Sequence, residues 1–364
     1  MIALFYIISF ISVLLVGFYA FQLRKWRIAW RNEPSHVPSN DETKVSVIIP
    51  IHNELKHIDD LLLSLFHQFK AANELIFVCD NCTDGSEVYL KRLIYDRRDC
   101  KLIINNGKPG KKESQRLGVE VASNDIVIFL DADCNLPKWW IGATMSYHCK
   151  HRPDLLIAPV LMRGDGSVFQ HLVELEFLAL QMCTAGATVC GTPFMCNGAN
   201  LSFAKVAYKR HKGNPKYASG DDMFLLSDIK KSGGSIAYLK SKDAVVTTHA
   251  PHNLYRDLCQ RTRWLRKSTG YSDKKVISVA LLVFLVNMSI LALLALSVFY
   301  PPTTVALGIV FVVKLYSEYR LLREGARFWN VIVDFASVFL LALVYPLNVL
   351  LITILSIFRN PKRW

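Results

Sequence analysis

Structural-zinc spacing is missing from this 364-residue sequence: its nine cysteines form no paired Cys/His clusters and no even-spaced framework. A zinc-stabilised fold and a small disulfide scaffold are thereby excluded, and scattered thiols point to a reducing, cytosolic face for the part that carries them. Charge of either sign is absent from Met1 to Gln22. No basic stretch precedes that run and no small-residue cleavage site ends it, which excludes a removable signal peptide. Acidic residues are in the minority, 30 against 43 Lys and Arg, for a formal net charge of +13. With 52% hydrophobic residues and a mean hydropathy of +0.24, the chain is neither disordered nor an ordinary soluble enzyme. The composition fits a membrane protein with a soluble part.

What is present begins with that uncharged run. At about 1.5 Å per residue it can cross a hydrocarbon core of roughly 30 Å. The basic stretch RKWRIAWR follows at once. This order predicts an uncleaved anchor over 1–23, a basic juxtamembrane linker over 24–44 on the cytoplasmic side, and an external N-terminus. Trp26 and Trp30 read as interface anchors, and no nucleic-acid partner is expected. The C-terminal third repeats the pattern: Val276–Tyr300 is apolar up to Pro301-Pro302, Thr303–Val313 is a short apolar run, and Phe328–Phe358 is apolar but for Asp334, with Pro346 placed to kink or split it. About three helices are expected over 276–358, ahead of a basic tail at 359–364. That count puts the tail outside, against the positive-inside expectation, unless the last segment is re-entrant or interfacial.

Between 45 and 275 short apolar runs alternate with amphipathic stretches, the pattern of βα units around a mainly parallel sheet. Val45–Ile49 reads as a strand stopped by Pro50, with Asn53 capping the helix that follows. ELIFVCD, KLIINN and DIVIFL read as further strands, with a helix at Gly118–Ser123. Ligands of such sheets sit at the carboxyl ends of the strands, where this chain carries His52, Glu54, Asp80, Asp84, Asp131 and Asp133. Carboxylates converging on one crevice need a cation or a donor-rich ligand. Asp131 and Asp133 flank Ala132, so the period of two turns both to one face, and their hard oxygens suit Mg2+ or Mn2+ shared with a phosphate. Asp221 and Asp222 open an amphipathic helix, and Gln260, Arg263 and Trp264 lie just before the C-terminal spans. An arginine offers a diphosphate bidentate bonds, and an indole offers a sugar a flat platform. Cys79 and Cys82 have redox spacing but read as part of the loop after their strand.

In order along the chain stand VSVIIPIHNE, DNCTDGS, the lysine of GKKES, FLDAD, CNGANLSF, SGDD and QRTRW. Together they make the chain resemble the membrane-integrated family-two glycosyltransferases with a GT-A fold, which include cellulose, chitin and hyaluronan synthases and ceramide glucosyltransferases. The likeness covers about Val45 to Trp264. It implies an α/β GT-A domain flanked by transmembrane helices, with Pro50, His52, Glu54, Asp80, Lys111, Asp131 and Arg263 on a nucleotide-sugar donor. It implies Asp133, with Asp131, as the Mg2+ or Mn2+ ligands and Asp222 as general base. Asn197, Gly198, Asp221, Gln260 and Trp264 are implied at the acceptor and its gate. Two departures stand out: Asp221-Asp222 replaces the family's common Glu-Asp, and Arg116 stands where many members have Asn, so the donor's identity stays open.

The expected activity is inverting transfer from a nucleotide-diphosphate sugar, UDP-linked as the first expectation, to a lipid or lipid-linked saccharide at the inner (plasma) membrane. The alternative is a processive synthase that polymerises and extrudes a β-linked glycan, with an export or oligomer partner left open. A non-catalytic sensor predicts loss of a carboxylate, and all of them are present.

Overall fold

The computed structural model describes residues 2–39, 43–212, 220–268 and 270–358; the basic tail expected at 359–364 lies outside them. Contacts divide the chain into two compact units. One, over 33–163 and 195–249, is a sheet unit; the other, over 1–32, 164–194 and 250–358, is helical. Residues 164–194 interrupt the sheet unit's sequence and group with the helices, a division that composition does not reveal.

Helix α1 (Ile2–Asn32) belongs to the helical unit, and the sheet unit starts after it. Its elements are β1 (Val45–Ile51), α2 (Ile58–Phe66), β2 (Glu74–Asp80), α3 (Ser86–Leu93), β3 (Cys100–Asn105), α4 (Lys111–Val121), β4 (Ile126–Leu130), α5 (Trp140–His151), β5 (Leu155–Ile157) and β6 (Val160–Arg163). After α6 (Val168–Val189), which is helical-unit material, come β7 (Asn200–Ala204), α7 (Lys205–Tyr208), α8 (Asp221–Lys231), β8 (Ile236–Tyr238) and β9 (Val246–His249).

Seven strands form one sheet in the order β3-β2-β1-β4-β7-β5-β8, and β6 pairs with β9 beside it. Only β7 runs antiparallel to its neighbours β4 and β5. The β1, β2 and β4 strands are apolar because both faces are covered; every residue of β1 and β2 is buried. The chain moves outward from β1 to β3 and then returns to β4 on the other side of β1. Their carboxyl ends therefore part at a topological switch point, where such sheets bind ligands.

Three local expectations are corrected. Pro50 does not end β1: it lies within the strand opposite Val78, and β4 pairs with β1 only as far as Ile48. Beyond that point the missing N–H deprives no β4 partner of a ladder bond. Asn53 does not cap α2, whose N-cap is His57. Instead Asn53 takes a left-handed φ of 59°, and its Oδ1 accepts from the Thr83 amide at 2.8 Å, tying the β1 and β2 loops together. Helix α4 also starts earlier than the expected Gly118, at Lys111. His148 is buried on α5 with its Nε2 2.8 Å from Ser202 Oγ.

The helical unit adds α9 (Leu254–Ser268), α10 (Lys274–Phe299), α11 (Thr303–Trp329) and α12 (Phe335–Phe358) to α1 and α6. Among the described residues α1, α6, α10 and α12 are long and apolar enough to cross a membrane. α11 does not end with its short apolar run but continues through the polar stretch to Trp329. Its Lys314 is fully buried and pairs with Glu318 at 2.9 Å, and Glu318 also accepts from Tyr19 Oη of α1 at 2.7 Å. Charges that look external in sequence are thus satisfied internally. Pro346 lies inside a continuous α12. On α9, buried Arg261 bonds Glu176 of α6 at 2.6 Å and Asp257 at 3.1 Å.

Small residues let α1 and α6 approach. A Cβ on Gly186 would stand 2.5 Å from the carbonyl oxygen of Trp26. Backbone cannot turn aside as a side chain can, so Gly186→Ala is expected to cost about 1–3 kcal/mol and to lower the melting temperature of the detergent-solubilised protein.

Candidate functional site

Four loops at the switch point carry the chemistry. Asp131 and Asp133 follow β4 directly, Glu54 lies in the loop after β1, Lys111 opens α4, and Asp222 lies in the first turn of α8. Lys111 is ion-paired with Asp131. Burial works to lower the Lys111 pKa, but the carboxylates of Asp131, Asp222 and Asp133 outweigh it and leave the ammonium more firmly protonated than usual. One lysine is therefore paired with Asp131 and feels the charge of Asp222 and Asp133 as well.

Asp133 is oriented by Thr248 of β9, whose Oγ1 donates to Oδ2 at 2.9 Å. The same strand places His249 in a stack with His57, their rings 5.4 Å apart. His57 Nε2 lies 3.9 Å from Glu54. Burial, followed by the charge of Asp133, lifts the Glu54 carboxyl from its ordinary 4.5 to about 7. Among the described residues no three His, Cys, Asp or Glu groups converge closely enough to hold an ion alone. Oxygen donors that leave most positions to water and phosphate are what Mg2+ and Mn2+ use, and the negative charge of Asp133, which adds to burial in raising Glu54, is what such a cation would relieve. The donor set therefore fits a metal shared with a diphosphate.

The Glu54 shift has a consequence for stability. The folded chain holds this proton more tightly than the unfolded chain, so its contribution is complete below about pH 4.5 and is lost as pH rises through about 7. Glu54→Gln is expected to remove that slope. Thermal melting of both proteins between pH 4 and 8, without added metal, checks this: the variant should gain on the wild type as pH rises through the window, then hold its lead.

Asp222 is held by backbone. Gly198 N–H donates to its Oδ2 at 3.1 Å and Met223 N–H to its Oδ1 at 2.9 Å, leaving each oxygen a further lone pair. A Cβ on Gly198 would meet Oδ2 at 3.3 Å, which is why a glycine suits this place. Asn197 shapes the turn, its Oδ1 accepting from the Ala199 amide at 3.0 Å. Asp84 braces the loop before α3 by accepting from Leu55 and Ser86 amides at 3.0 and 2.9 Å.

Other residues named from sequence face inward. Asp80 is fully buried, and its carboxylate accepts from Asn81 Nδ2 at 3.0 Å, Asn105 Nδ2 at 2.8 Å and Gly110 N–H at 2.8 Å. His52 Nδ1 lies 2.7 Å from the Asp80 carbonyl, and Pro50 is buried in β1. Asp221, 5% exposed, faces Lys112 rather than solvent. Gln260, Arg263 and Trp264 lie on α9 in the helical unit, where Arg261 stacks over Trp264 at 5.3 Å. Sequence reasoning missed Thr248, which the β6–β9 pairing brings to Asp133, and the stacked His249 and His57 beside Glu54; no local motif marks them.

Residues 46–210 match the family model of Glycosyl transferase family 2. Relatives include the glycosyltransferase AglE of Haloferax volcanii, 28% identical over 28% of this chain and 34% of its own length. The poly(ribitol-phosphate) beta-N-acetylglucosaminyltransferase TarS of Staphylococcus aureus is 28% identical over 33% of this chain and 21% of its own. The undecaprenyl-phosphate 4-deoxy-4-formamido-L-arabinose transferase of Proteus mirabilis is 34% identical over 26% and 30%. The chain thus spans about a third or less of the length of these relatives. Among solved structures, the mannosyltransferase PcManGT of Pyrobaculum calidifontis, in complex with GDP-Man and Mn2+, superposes with a TM-score of 0.61 at 16% identity, over 96% of this chain and 99% of that one. Sheet order, strand-end carboxylates and these likenesses agree: the chain carries a glycosyl transferase family 2 domain of GT-A-like fold, together with several helices apolar enough to span a membrane.

Proposed function

We propose that the protein is an inverting, metal-dependent glycosyltransferase that moves a sugar from a nucleoside-diphosphate donor to a lipid or lipid-linked saccharide at the membrane. The observation that carries this reading is the Lys111–Asp131 ion pair at the carboxyl end of β4, with Asp133 and Asp222 within electrostatic reach of the same lysine. The Mn2+ and GDP-Man of the Pyrobaculum structure and the undecaprenyl-phosphate in the Proteus relative's name support the cofactor and the acceptor class. UDP- and GDP-linked sugars both suit the site's charge.

In this mechanism Asp222 takes the proton of an acceptor hydroxyl as that oxygen bonds to the anomeric carbon. The bond from that carbon to the diphosphate oxygen breaks with inversion, and the electron pair leaves with the nucleotide. The Gly198 and Met223 amides hold the base in one orientation, which contributes through positioning. Asp133 and Asp131 would hold a divalent ion, which when bound neutralises the departing diphosphate. Lys111 pairs with Asp131 and holds it in place, and Thr248 fixes the Asp133 rotamer.

A processive synthase is the second reading, favoured by QRTRW and by the polymer acceptor in the TarS name. Radiolabel transfer in native-lipid vesicles separates the two. Label in a chloroform-soluble product supports the lipid acceptor; label in a water-soluble or insoluble polymer replaces it with the synthase.

A further inference from the structure

Beside the proposed base lies a buried ionic cluster to which the mechanism gives no task. Asp221, immediately before Asp222, turns its carboxylate into the protein. Its Oδ1 lies 3.2 Å from Lys112 Nζ and 3.4 Å from His211 Nε2. The His211 side chain is 4% exposed, and its Nδ1 lies 3.0 Å from Asp228 Oδ2, two turns further along α8. Asp228 Oδ2 also accepts from the Lys212 amide at 3.0 Å. His211 Nε2 and Asp221 Oδ1 are both buried and make no hydrogen bond of ordinary geometry, although they face each other at 3.4 Å. Buried polar groups so placed are costly to separate.

We propose that His211 and Lys112 form a clamp on Asp221 that sets the rotation of α8 and thereby aims Asp222; this rests on the reading of Asp222 as base. Consecutive residues on a helix point about 100° apart. Once Asp221 is fixed on the Lys112 and His211 side, Asp222 faces Gly198. A helix rotation of about 20° would carry a carboxylate standing roughly 6 Å off the axis by about 2 Å, and misplacement on the order of 1 Å can cost about 100-fold in rate. His211 and Lys112 are positioning residues; neither touches substrate in this scheme. Two adjacent lysines thus hold the two adjacent aspartates' surroundings: Lys111 faces the reacting side and Lys112 the packed side.

The two nitrogens of His211 can be tested separately, because an Asn amide stands near Nδ1 and a Gln amide near Nε2. His211→Asn keeps the Asp228 bond and removes the link to Asp221; His211→Gln does the reverse. Transfer is followed with whichever of UDP-glucose, UDP-galactose, UDP-GlcNAc and GDP-mannose the wild type turns over in vesicles with Mn2+. The expected result is a kcat about tenfold lower for His211→Asn at unchanged donor KM, with His211→Gln within about threefold of wild type. Equal losses in both variants that follow their melting temperatures would reduce His211 to a packing residue and overturn the proposal, as would wild-type kcat in both. Lys112→Met lies at the edge of the cluster and does not depend on burying a new polar group. It should lower kcat with little change in melting, and an unchanged kcat counts against the clamp. If wild type transfers nothing, the reading of Asp222 falls, and the clamp with it; if wild type transfers but Asp222→Asn is equally active, only the role of the base is lost and the clamp has no object.

Discussion

Asp222→Asn is expected to lower kcat by about 10²–10⁴-fold, the usual contribution of a positioned base, while nucleotide binding changes little. Asn cannot take a proton, yet it is nearly the same size, and its oxygen can still accept one of the Gly198 and Met223 amides. The other amide would then face an NH2 group, a local cost that leaves the sheet untouched. Lys111 keeps Asp131 and Asp133 as counter-ions in the variant, so the donor side of the site stays charged as before. Calorimetry with UDP and GDP in the presence of Mn2+ checks binding, and initial rates check kcat. A parallel loss of both would show that the change acts on folding or on the donor rather than on proton removal.

Asp133→Asn is expected to have the other large effect, lowering kcat by about 10²–10³-fold and abolishing stimulation by Mn2+. The Thr248 bond can survive, since Oδ2 accepts it and an amide oxygen can do the same. What is lost is one negative charge and one hard ligand. Glu54 supplies an internal check. Its carboxyl is raised partly by Asp133, so removing that charge should bring the Glu54 titration back toward the ordinary carboxyl range. The pH slope of stability described for Glu54 should therefore shrink in Asp133→Asn. Rates across a Mn2+ titration, with melting curves at several pH values, read both consequences.

Much of this site was legible because its pieces are local. The apolar run IVIFL followed by Asp131 and Asp133 needs only strand periodicity, and the Asp221-Asp222 pair at a helix start needs only helix patterning. What sequence could not show depends on pairing between distant segments. Thr248 reaches Asp133 because β9 is placed by β6, and His211, which lies outside α8, reaches Asp221 and Asp228 of that helix with no regular spacing to announce it. Asp80 reads as a ligand contact from its place at a strand end, but its carboxylate is taken up by three donors, from its neighbour Asn81, from β3 and from the start of α4. The helices show the same limit. α6 carries Glu174 and Glu176 and reads as part of the soluble chain, whereas those groups are buried in the helical unit beside Arg261 and its neighbours. Lys314 and Glu318 made α11 look shorter than it is, because an ion pair within one helix is invisible to a hydropathy window.

The most direct test is release of nucleoside diphosphate with transfer of labelled sugar by the purified protein in native-lipid vesicles. UDP-glucose, UDP-galactose, UDP-GlcNAc and GDP-mannose would be tried separately, with Mn2+, with Mg2+ and with chelator. Turnover of one donor that needs the divalent cation and is lost in both Asp222→Asn and Asp133→Asn is the expected result. Turnover that persists in chelator, or in both variants, would contradict a metal-dependent transfer centred on these carboxylates.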